Sequence, residues 1–397
     1  MDDVGDWGSG NLVLGSALDA PVLALDLGAS RLRAALVGPH GTILSRTEAP
    51  SATERGPAAV IATAEKLLTS LGAGVPGDDR SGHVMRGGVK PGDVEPSRTT
   101  RGDTMRGDAP GPGSFALRPI SIAPRPIAIG ISAIGPVDPR AGLIIDPPNA
   151  HPTFRDVPIA EELGRRLGLP VFLDRDTNVA LLGELAYGAA QGVADVVYLT
   201  VSTGIGGAVL SDGVLLHGPD GTAGELGHLL VDLDGPPCGC GARGHLEAIA
   251  SGAAVARAAR EAVCSGESPL LRAVADRTGP EHISAADVAA AEEAGDPGAA
   301  AIMERARRAF AAAMVAIVDV FNPTLVVVGG SIARAQGDRL LQPARDAVRA
   351  TAFRTPGRRV SVVSAALGDD VSLVGCLPLV RRRQGGASSE AGGPSRQ

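Results

Sequence analysis

The alternation of hydrophobic and polar positions near the start of the chain predicts three strands followed by a helix. Residues 21–27, PVLALDL, form an apolar run ending at an aspartate and a glycine, which is typical of a buried strand. Residues 31–44, RLRAALVGPHGTIL, predict a second strand, a tight glycine turn and a third strand. An Ala- and Leu-rich helix is expected over about 57–71.

Strand and helix patterns alternate through most of the remaining chain. They predict a strand and glycine loop at 126–138, a helix, glycine stop and strand at 159–176, a helix at 177–190, a strand, glycine loop and hairpin at 194–216, a helix at about 297–319, and a strand entering a glycine turn at 324–333. Alternating strands and helices with hairpins mixed in indicate an α/β protein.

Three segments lack this periodicity. Residues 72–118 are rich in Gly, Pro, Arg and Asp, and a loop of this length inside a compact domain is expected to be a disordered insertion. We also expect disorder in an N-terminal extension, residues 1–20, and in a tail, residues 381–397.

Composition narrows the class of protein. The chain has 397 residues, of which 44% are hydrophobic, and no run approaches the ~20 apolar residues of a membrane helix. The acidic first 20 residues lack the basic start of a secretory signal, so we expect a cytoplasmic protein that is not bound to membranes. A net charge of −7 and 2% aromatic residues argue against nucleic-acid binding.

Three strand-to-glycine turns could hold phosphate: DLGAS at 26–30, STGIGG at 202–207 and VGGS at 328–331. Such turns expose backbone N–H groups, to which Ser30, Ser202 and Thr203 could add hydroxyl donors. Asp26 could hold Mg²⁺ through water. Each turn alone is more often a hairpin or a strand end, but their combination favours a phosphate site.

A carboxylate follows the predicted strand in LDRDTN, residues 173–178. Asp176 or Thr177 could be the N-cap of the next helix. Alternatively, Asp176 could be a general base that accepts the proton of a substrate hydroxyl during phosphoryl transfer.

One short stretch concentrates metal-binding side chains. Cys238, Cys240, His245 and His228 supply two thiolates and two imidazoles, which suit a closed tetrahedral zinc site. The alternative is a Gly- and Pro-rich loop with incidental cysteines. A bound metal would hold Glu225, His228 and Glu247 together, and these groups could hydrogen-bond the vicinal hydroxyls of a sugar.

Taken together, these stretches resemble the ROK family of bacterial sugar kinases and sugar-responsive repressors, over about residues 21–380 apart from the insertion. The motifs that carry the resemblance are the hairpin LALDLGASRLRAALVGPHGTIL, GISAIGPVDPRAGLIIDPPNA, LDRDTNVALLGE, the loop VSTGIGGAVL, GELGH with CGCGARGHLE, and FNPTLVVVGG. The glutamate–histidine and zinc signature among them is highly specific.

The resemblance implies a role for each matching residue. Asp176 would be the catalytic base, and the sugar would be bound by Asn149, Arg175, Glu225, His228 and Glu247. ATP would be bound by Asp26, Gly28, Ser30, Thr203, Gly204, Gly329 and Gly330. The structural zinc ligands would be His228, Cys238, Cys240 and His245.

The chain departs from the family pattern at several of these positions. His245 stands where a third zinc cysteine is usual, and Arg175 where an asparagine usually contacts sugar. Arginine is larger, always charged and a donor only, so it could alter sugar preference or block the pocket. Ser30, Ala29 and Ser202 replace Thr, Gly and Gly, which are mild changes.

The resemblance also implies an architecture and an activity. We expect a two-lobed actin-like (ribonuclease H-like) α/β fold: a small lobe at 21–148, a large lobe at 149–367 and a helix at 368–380 that returns to the small lobe. The active site would lie in the interlobe cleft, and the family suggests a homodimer. The implied reaction is ATP- and Mg²⁺-dependent phosphorylation of a hexose or N-acetylhexosamine at the 6-hydroxyl. The alternative is a non-catalytic sugar-binding regulator without a DNA-binding domain.

Overall fold

The computed structural model describes residues 20–72, 125–148 and 150–390. The sugar-binding role of Asn149, and the parts of the predicted disordered segments at 1–19, 73–118 and 391–397, lie outside these described residues.

Within the described ranges the chain forms twelve β-strands. They are β1 (Val22–Leu27), β2 (Arg31–Val37), β3 (Ile43–Pro50), β4 (Ile129–Ala133), β5 (Val137–Asp138), β6 (Leu143–Ile144), β7 (Val171–Arg175), β8 (Val196–Val201), β9 (Ile205–Ser211), β10 (Val214–Leu215), β11 (Leu325–Gly329) and β12 (Ser361–Ser364).

The same described ranges contain twelve α-helices. They are α1 (Pro57–Ser70), α2 (Ile159–Leu167), α3 (Asp176–Tyr187), α4 (Leu246–Ala250), α5 (Gly252–Ser265), α6 (Pro269–Thr278), α7 (Ala285–Glu293), α8 (Pro297–Phe321), α9 (Ser331–Gln336), α10 (Asp338–Thr351), α11 (Arg354–Arg359) and α12 (Val371–Glu390). None of these helices is long and apolar enough to cross a membrane.

Two five-stranded sheets share one construction. The first has the order β3-β2-β1-β4-β7, and the second has the order β10-β9-β8-β11-β12. In each sheet the first three strands in sequence are antiparallel neighbours, and the two later strands pair in parallel. A two-stranded hairpin, β5-β6, accompanies them.

The continuous apolar run of β1 reflects burial of both sheet faces. Leu23, Leu25 and Leu27 pack in one cluster with buried residues of α1 and α2. Val22 and Ala24, on the opposite face, pack in another cluster with α3 and α12. A strand covered on both sides reads as an unbroken hydrophobic stretch rather than as an alternating one.

Helices α3 and α12 join the two sheets. Their cluster contains Val22 from the first sheet and Tyr198 from the second. The helices approach closely where both carry glycine: a Cβ added to Gly183 would lie 3.0 Å from the carbonyl oxygen of Val371. A Cβ added to Gly375 would overlap the backbone of α3.

A buried carboxylate ties the end of α3 to the segment that enters α12. Glu184 is 0% exposed. It accepts hydrogen bonds from the backbone N–H of Ala189 at 2.7 Å, and from those of Ala366 and Leu367 at 3.0 Å. Several charge-assisted bonds to one carboxylate make a firm junction.

Two boundaries differ from the predictions. The first sheet does not end at residue 148, because β7 pairs in parallel with β4 and completes it. Helix α12 runs through residues 381–390, where a disordered tail was predicted. Arg381 and Arg382 are half-buried and donate to the carbonyls of Pro39 and Gly213, at 2.7 and 3.2 Å.

Candidate functional site

Asp176 stands at the junction between the first sheet and α3. It is the first residue of the helix and follows Arg175, the last residue of β7. The backbone N–H of Thr177 donates to Asp176 Oδ1 at 2.7 Å. The alternative interpretation of Asp176 or Thr177 as the N-cap is wrong, because Arg175 holds that position without a side-chain cap.

The surroundings of Asp176 adjust its acidity. Burial raises the pKa of its carboxyl from 3.8 to about 6, and the negative charges of Asp26 and Glu225 act in the same direction. The N–H of Thr177 and the charge of Arg175 oppose this rise. A half-buried carboxylate with a pKa just below neutral is ionised at pH 7 yet is basic enough to take a proton.

Arg175 lies beneath the site rather than in it. Its side chain is 3% exposed, and Nη1 donates to Glu225 Oε1 at 2.6 Å. Nη2 donates to the carbonyls of Gly207 and Ala223, at 2.9 and 2.5 Å. The predicted direct contact between Arg175 and sugar is therefore corrected. The strand carries this side chain into the protein, where it packs on Gly135.

Asp174, two residues before the candidate base, is a buried anchor. Its Oδ2 accepts from His217 Nε2 at 2.8 Å, and its Oδ1 accepts from Asn178 Nδ2 at 2.8 Å. Burial alone would raise the pKa of Asp174, but these bonds and the N–H of Arg175 hold it below its ordinary value. The anchor fixes the strand end from which Asp176 projects.

The first predicted phosphate turn carries an ion pair. Asp26 Oδ2 accepts from Arg33 Nε and Nη2 at 2.9 and 2.7 Å, and Oδ1 accepts from Ser132 Oγ at 3.0 Å. The two bonds from Arg33 occupy Oδ2, but Oδ1 keeps a further lone pair, so the carboxylate can still accept from a water molecule. This environment fits an indirect, water-mediated approach to a Mg²⁺ ion better than direct ligation.

The glycine of that turn is used by the hairpin itself. Gly28 N–H donates to the carbonyl of Arg31 at 2.9 Å, so this donor is already satisfied. Ser30 is exposed, and its carbonyl accepts from the N–H of Ser51 at 3.1 Å. Of these two predicted contacts, the Ser30 side chain is the more available to a phosphate.

Of the second predicted phosphate loop, 202–207, residues 202–204 join β8 to β9 and pack on the start of α5, whereas residues 205–207 begin β9. The carbonyls of Ser202 and Thr203 accept from the N–H groups of Gly252 and Ala253 at 2.8 and 3.1 Å. The N–H of Ser202 donates to the carbonyl of Gly204 at 2.9 Å. The loop is thus held by its own backbone, and the Thr203 side chain is exposed.

The third turn needs glycine for packing reasons. Gly330 has a φ of 96°, and a Cβ there would overlap the backbone of Val201. A Cβ on Gly329 would lie 2.5 Å from the Tyr198 hydroxyl oxygen. These contacts explain both glycines without a nucleotide, whose predicted contact with them stays a prediction.

The second and third turns meet through a side-chain hydrogen bond. Ser202 Oγ and Ser331 Oγ lie 2.9 Å apart. The residues of 202–204 and the first turn of α9 therefore form one continuous surface. Sequence patterns placed Ser202 in a glycine loop but gave no sign of this link, since the two serines are 129 residues apart.

Two candidate sugar-binding carboxylates have different surroundings. Glu225 is exposed and held by Arg175, close enough to Asp176 to affect its pKa. Glu247, near the start of α4, accepts from the N–H of Ile205 at 2.8 Å. A Cβ on Gly204 would lie 2.7 Å from Glu247 Oε2, so this carboxylate borders the second phosphate loop.

The four predicted zinc ligands come together. One ligand atom each of His228, Cys238, Cys240 and His245 lies within 4.8 Å of the others. The Nδ1 atoms of the two histidines are 3.2 Å apart, Cys240 Sγ is 3.4 Å from His245 Nδ1, and Cys238 Sγ is 3.8 Å from His228 Nδ1. Tetrahedral zinc with these ligands would give ligand–ligand separations of about 3.3–3.8 Å. The donor set fits zinc.

Comparison with known proteins places the chain in a family. The ROK family pattern matches residues 121–383. A glucokinase from Thermotoga maritima is 38% identical over 65% of this chain and 80% of that enzyme. An N-acetylmannosamine kinase from Shigella flexneri is 28% identical over 91% of this chain and 98% of its own length.

A solved structure shares the fold. The ROK family glucokinase from Streptomyces griseus, crystallised with glucose and AMPPNP, superposes with a TM-score of 0.65 at 26% identity. The match covers 90% of this chain and 98% of that one. The predicted two-lobed actin-like α/β fold is thereby confirmed. Because the family pattern spans well over half of the sequence, this chain belongs to the ROK family.

Proposed function

We propose that the chain catalyses ATP-dependent phosphorylation of a hexose or N-acetylhexosamine, with Asp176 as general base. The observation that carries the proposal is the Asp176 carboxyl, which lies at the β7–α3 junction beside Asp26 and Glu225 with a pKa of about 6. The kinase relatives support the reaction type, since they phosphorylate glucose or N-acetylmannosamine by name.

In the proposed step Asp176 accepts the proton of a sugar hydroxyl as that oxygen attacks the γ-phosphorus of ATP. The new P–O bond forms to the sugar, and the bond to the departing ADP breaks. A carboxylate that is ionised but weakly basic suits this role, because its pKa is matched to neutral pH. The acceptor is proposed to be the 6-hydroxyl, as the family resemblance implies.

ATP would enter as its magnesium complex on the side of the glycine turns. Asp26 would contact the ion through water, while Ser30, Thr203 and the loop at Gly204 would face the phosphates. The exposed hydroxyls of Ser30 and Thr203 support this placement. Gly329 and Gly330 would border the nucleoside, and Gly28 would shape the first hairpin.

The sugar would lie between Asp176 and the segment from Glu225 to Glu247, with Asn149 as a further proposed contact. Zinc bound by His228, Cys238, Cys240 and His245 would act structurally by cross-linking this segment. His228 would use Nδ1 for the metal and leave Nε2 for a sugar hydroxyl. The homodimer implied by the family resemblance belongs to the same proposal.

An ADP-release assay over glucose, mannose, N-acetylglucosamine and N-acetylmannosamine tests the activity. We expect Asp176→Asn to fold, to bind sugar, and to lose roughly 10²- to 10⁴-fold in kcat. Asp212→Asn is the matched control, since Asp212 is exposed in the β9–β10 turn and its φ of 49° suits asparagine.

Full turnover in Asp176→Asn would overturn the assignment of the base. Sugar-dependent thermal stabilisation of the wild-type chain, without phosphorylated product from any sugar, would instead favour a sugar-binding regulator. The kinase relatives make that second outcome the less supported one.

A further inference from the structure

The pair formed by Arg175 and Glu225 connects a buried cation to an exposed carboxylate at the proposed sugar site. The Arg175 side chain is 3% exposed, whereas the Glu225 side chain is 42% exposed. We propose that Arg175 is a positioning residue that holds Glu225 in one orientation, leaving a single carboxylate oxygen to accept a sugar hydroxyl. This inference rests on the proposed function and deepens it.

Contacts other than the one with Glu225 already fix the Arg175 guanidinium. Nη2 bonds the carbonyls of Gly207 and Ala223, which lie on β9 and on the loop leading to Glu225. Its stem packs on Gly135, where a Cβ would come within 2.9 Å of Arg175 Cδ. A side chain held at both its stem and its head cannot easily follow a moving partner, so the partner must conform to it.

The bond to Glu225 is made by the remaining end of the guanidinium. Nη1 donates to Oε1 at 2.6 Å, a short charge-assisted hydrogen bond. Oε1 is therefore engaged, and in this proposal Oε2 is the oxygen that accepts a sugar hydroxyl. An unrestrained glutamate would sample several rotamers and would lose that freedom on binding, which weakens affinity. Arg175 removes this cost in the free protein.

The same cation acts on the proposed base. The charged groups that influence Asp176 are Asp26 and Glu225, which disfavour its ionised form, and Arg175, which favours it. Tyr198 also senses the charge of Asp176. Without the charge of Arg175, the carboxylates of Asp176, Asp26 and Glu225 would repel one another more strongly, although Arg33 still pairs with Asp26. The pKa of Asp176 should then rise.

The nature of the side chain gives a discriminating experiment. Lysine would keep the positive charge but could not bond two carbonyls and a carboxylate in a fixed plane. Methionine would keep much of the stem and remove both charge and donors. A positioning role predicts that both variants raise KM for sugar and that only the loss of charge in Arg175→Met moves the acid limb, whereas a purely structural role predicts only parallel losses of stability.

The test measures kcat, KM and the pH dependence of kcat/KM for Arg175→Met and Arg175→Lys, with whichever of glucose and N-acetylmannosamine the wild type phosphorylates. We expect both variants to raise KM for sugar by about tenfold. The acid limb of kcat/KM should move to higher pH in Arg175→Met and stay near its wild-type position in Arg175→Lys. A double-mutant cycle with Glu225→Gln should be non-additive in KM.

A lower melting temperature with unchanged KM and an unmoved acid limb would overturn the proposal, because that is the signature of a structural residue. So would additive effects of Arg175→Met and Glu225→Gln. If Arg175→Met fails to fold, Arg175→Lys decides alone: a wild-type KM in that variant contradicts the positioning role.

The failure of the proposed function has a different signature. In that case the wild type forms no sugar phosphate, whatever residue 175 is. Isothermal titration with glucose and with N-acetylmannosamine, without nucleotide, then reports on Arg175 independently. Arg175→Met should weaken sugar binding by about tenfold. Equal affinity in wild type and variant would reject the positioning role of Arg175.

Discussion

The charge state of Asp176 governs the proposed reaction at the scale of a single residue. Burial raises the pKa of its carboxyl to about 6, so the ionised, proton-accepting form predominates only above that pH. The proposed chemistry and the stability of the fold respond to this pKa in opposite directions, because the base works when ionised and the buried site prefers it neutral.

We predict that kcat/KM falls about tenfold per pH unit below about pH 6, with a plateau above it. The measurement is kcat/KM for sugar at saturating MgATP from pH 5 to pH 8.5. A flat profile between pH 5 and pH 7 would contradict the assignment of Asp176 as base.

The stability effect provides the companion measurement. The folded-state pKa of Asp176 exceeds its ordinary 3.8, so ionisation destabilises the fold and stability falls as pH rises from about 4 through about 6. Asp176→Asn should therefore melt a few degrees higher than wild type at pH 8, with the difference shrinking towards pH 4.

The roles of individual residues could be predicted where they depended on residue type and on spacing along the chain. They could not be predicted where they depended on the direction in which a side chain points. The two cysteines and two histidines could be grouped from 228–245 because a short loop keeps its ligands near one another. The burial of the Arg175 side chain could not be predicted, because its partners Gly207 and Ala223 are distant in sequence. Asp174 and His217 were missed for the same reason.

At the scale of elements, the segment carrying the four candidate metal ligands has little regular structure of its own. Between Leu226–His228, a 3₁₀ helix, and α4 it is held by isolated bridges such as Leu230 with His245. Leu229 and Val231 pack against the hydrophobic core, whereas residues 232–244 contribute no member to it, so a metal would contribute much of the order of that part.

We predict about one zinc per chain by elemental analysis of the purified protein. Cys238→Ser should lose the metal and weaken sugar binding, because the 3₁₀ helix that carries His228 also follows Glu225. Cys264→Ser is the control, since Cys264 is exposed and outside the cluster, and should keep both. A metal-free protein with full activity would contradict the zinc proposal.

Elements with strong local signals were predicted well. Helices near 57–71 and 297–319 are confirmed as α1 and α8, and the strands at 21–27 and 324–333 as β1 and β11. The helices between residues 246 and 293 had no predicted counterpart. These helices bury mainly alanine and valine, so few large apolar side chains mark their inner faces.

For the whole molecule, α12 is, with α3, one of the two helices that connect the two halves. It packs between the first sheet and α3, and its last described contacts reach both sheets. Arg381 bonds the carbonyl of Pro39 beside β2, and Arg382 bonds that of Gly213 beside β9. A helix of this kind sets how firmly the halves are held together.

We predict that the double variant Arg381→Ala with Arg382→Ala lowers Tm by a few degrees, because two charge-assisted bonds to half-buried carbonyls are lost. Differential scanning calorimetry measures it. Arg349→Ala is the control, since that arginine is 69% exposed and its ion pair is a surface one. An unchanged Tm in the double variant would show that the α12 end contributes nothing.

The overall architecture was predictable through family resemblance, but its boundaries were not. The resemblance was taken to imply a small lobe that ends at residue 148, yet β7 joins the first sheet after an intervening helix. The continuation of α12 past residue 380 depends on carbonyl partners some 170 and 340 residues away, which no local pattern reveals.

The buried carboxylate of Glu184 makes α3 a rigid link between Asp176 and the segment that enters α12. One end of this twelve-residue helix carries Asp176. Near the other end, Glu184 is hydrogen-bonded to the backbone of Ala366 and Leu367, where the chain passes from the second sheet into α12. A helix of that length is a stiff strut of about 18 Å. In the proposed reaction, a movement of one half against the other would be transmitted along α3 to Asp176, so closure would also position the proposed base.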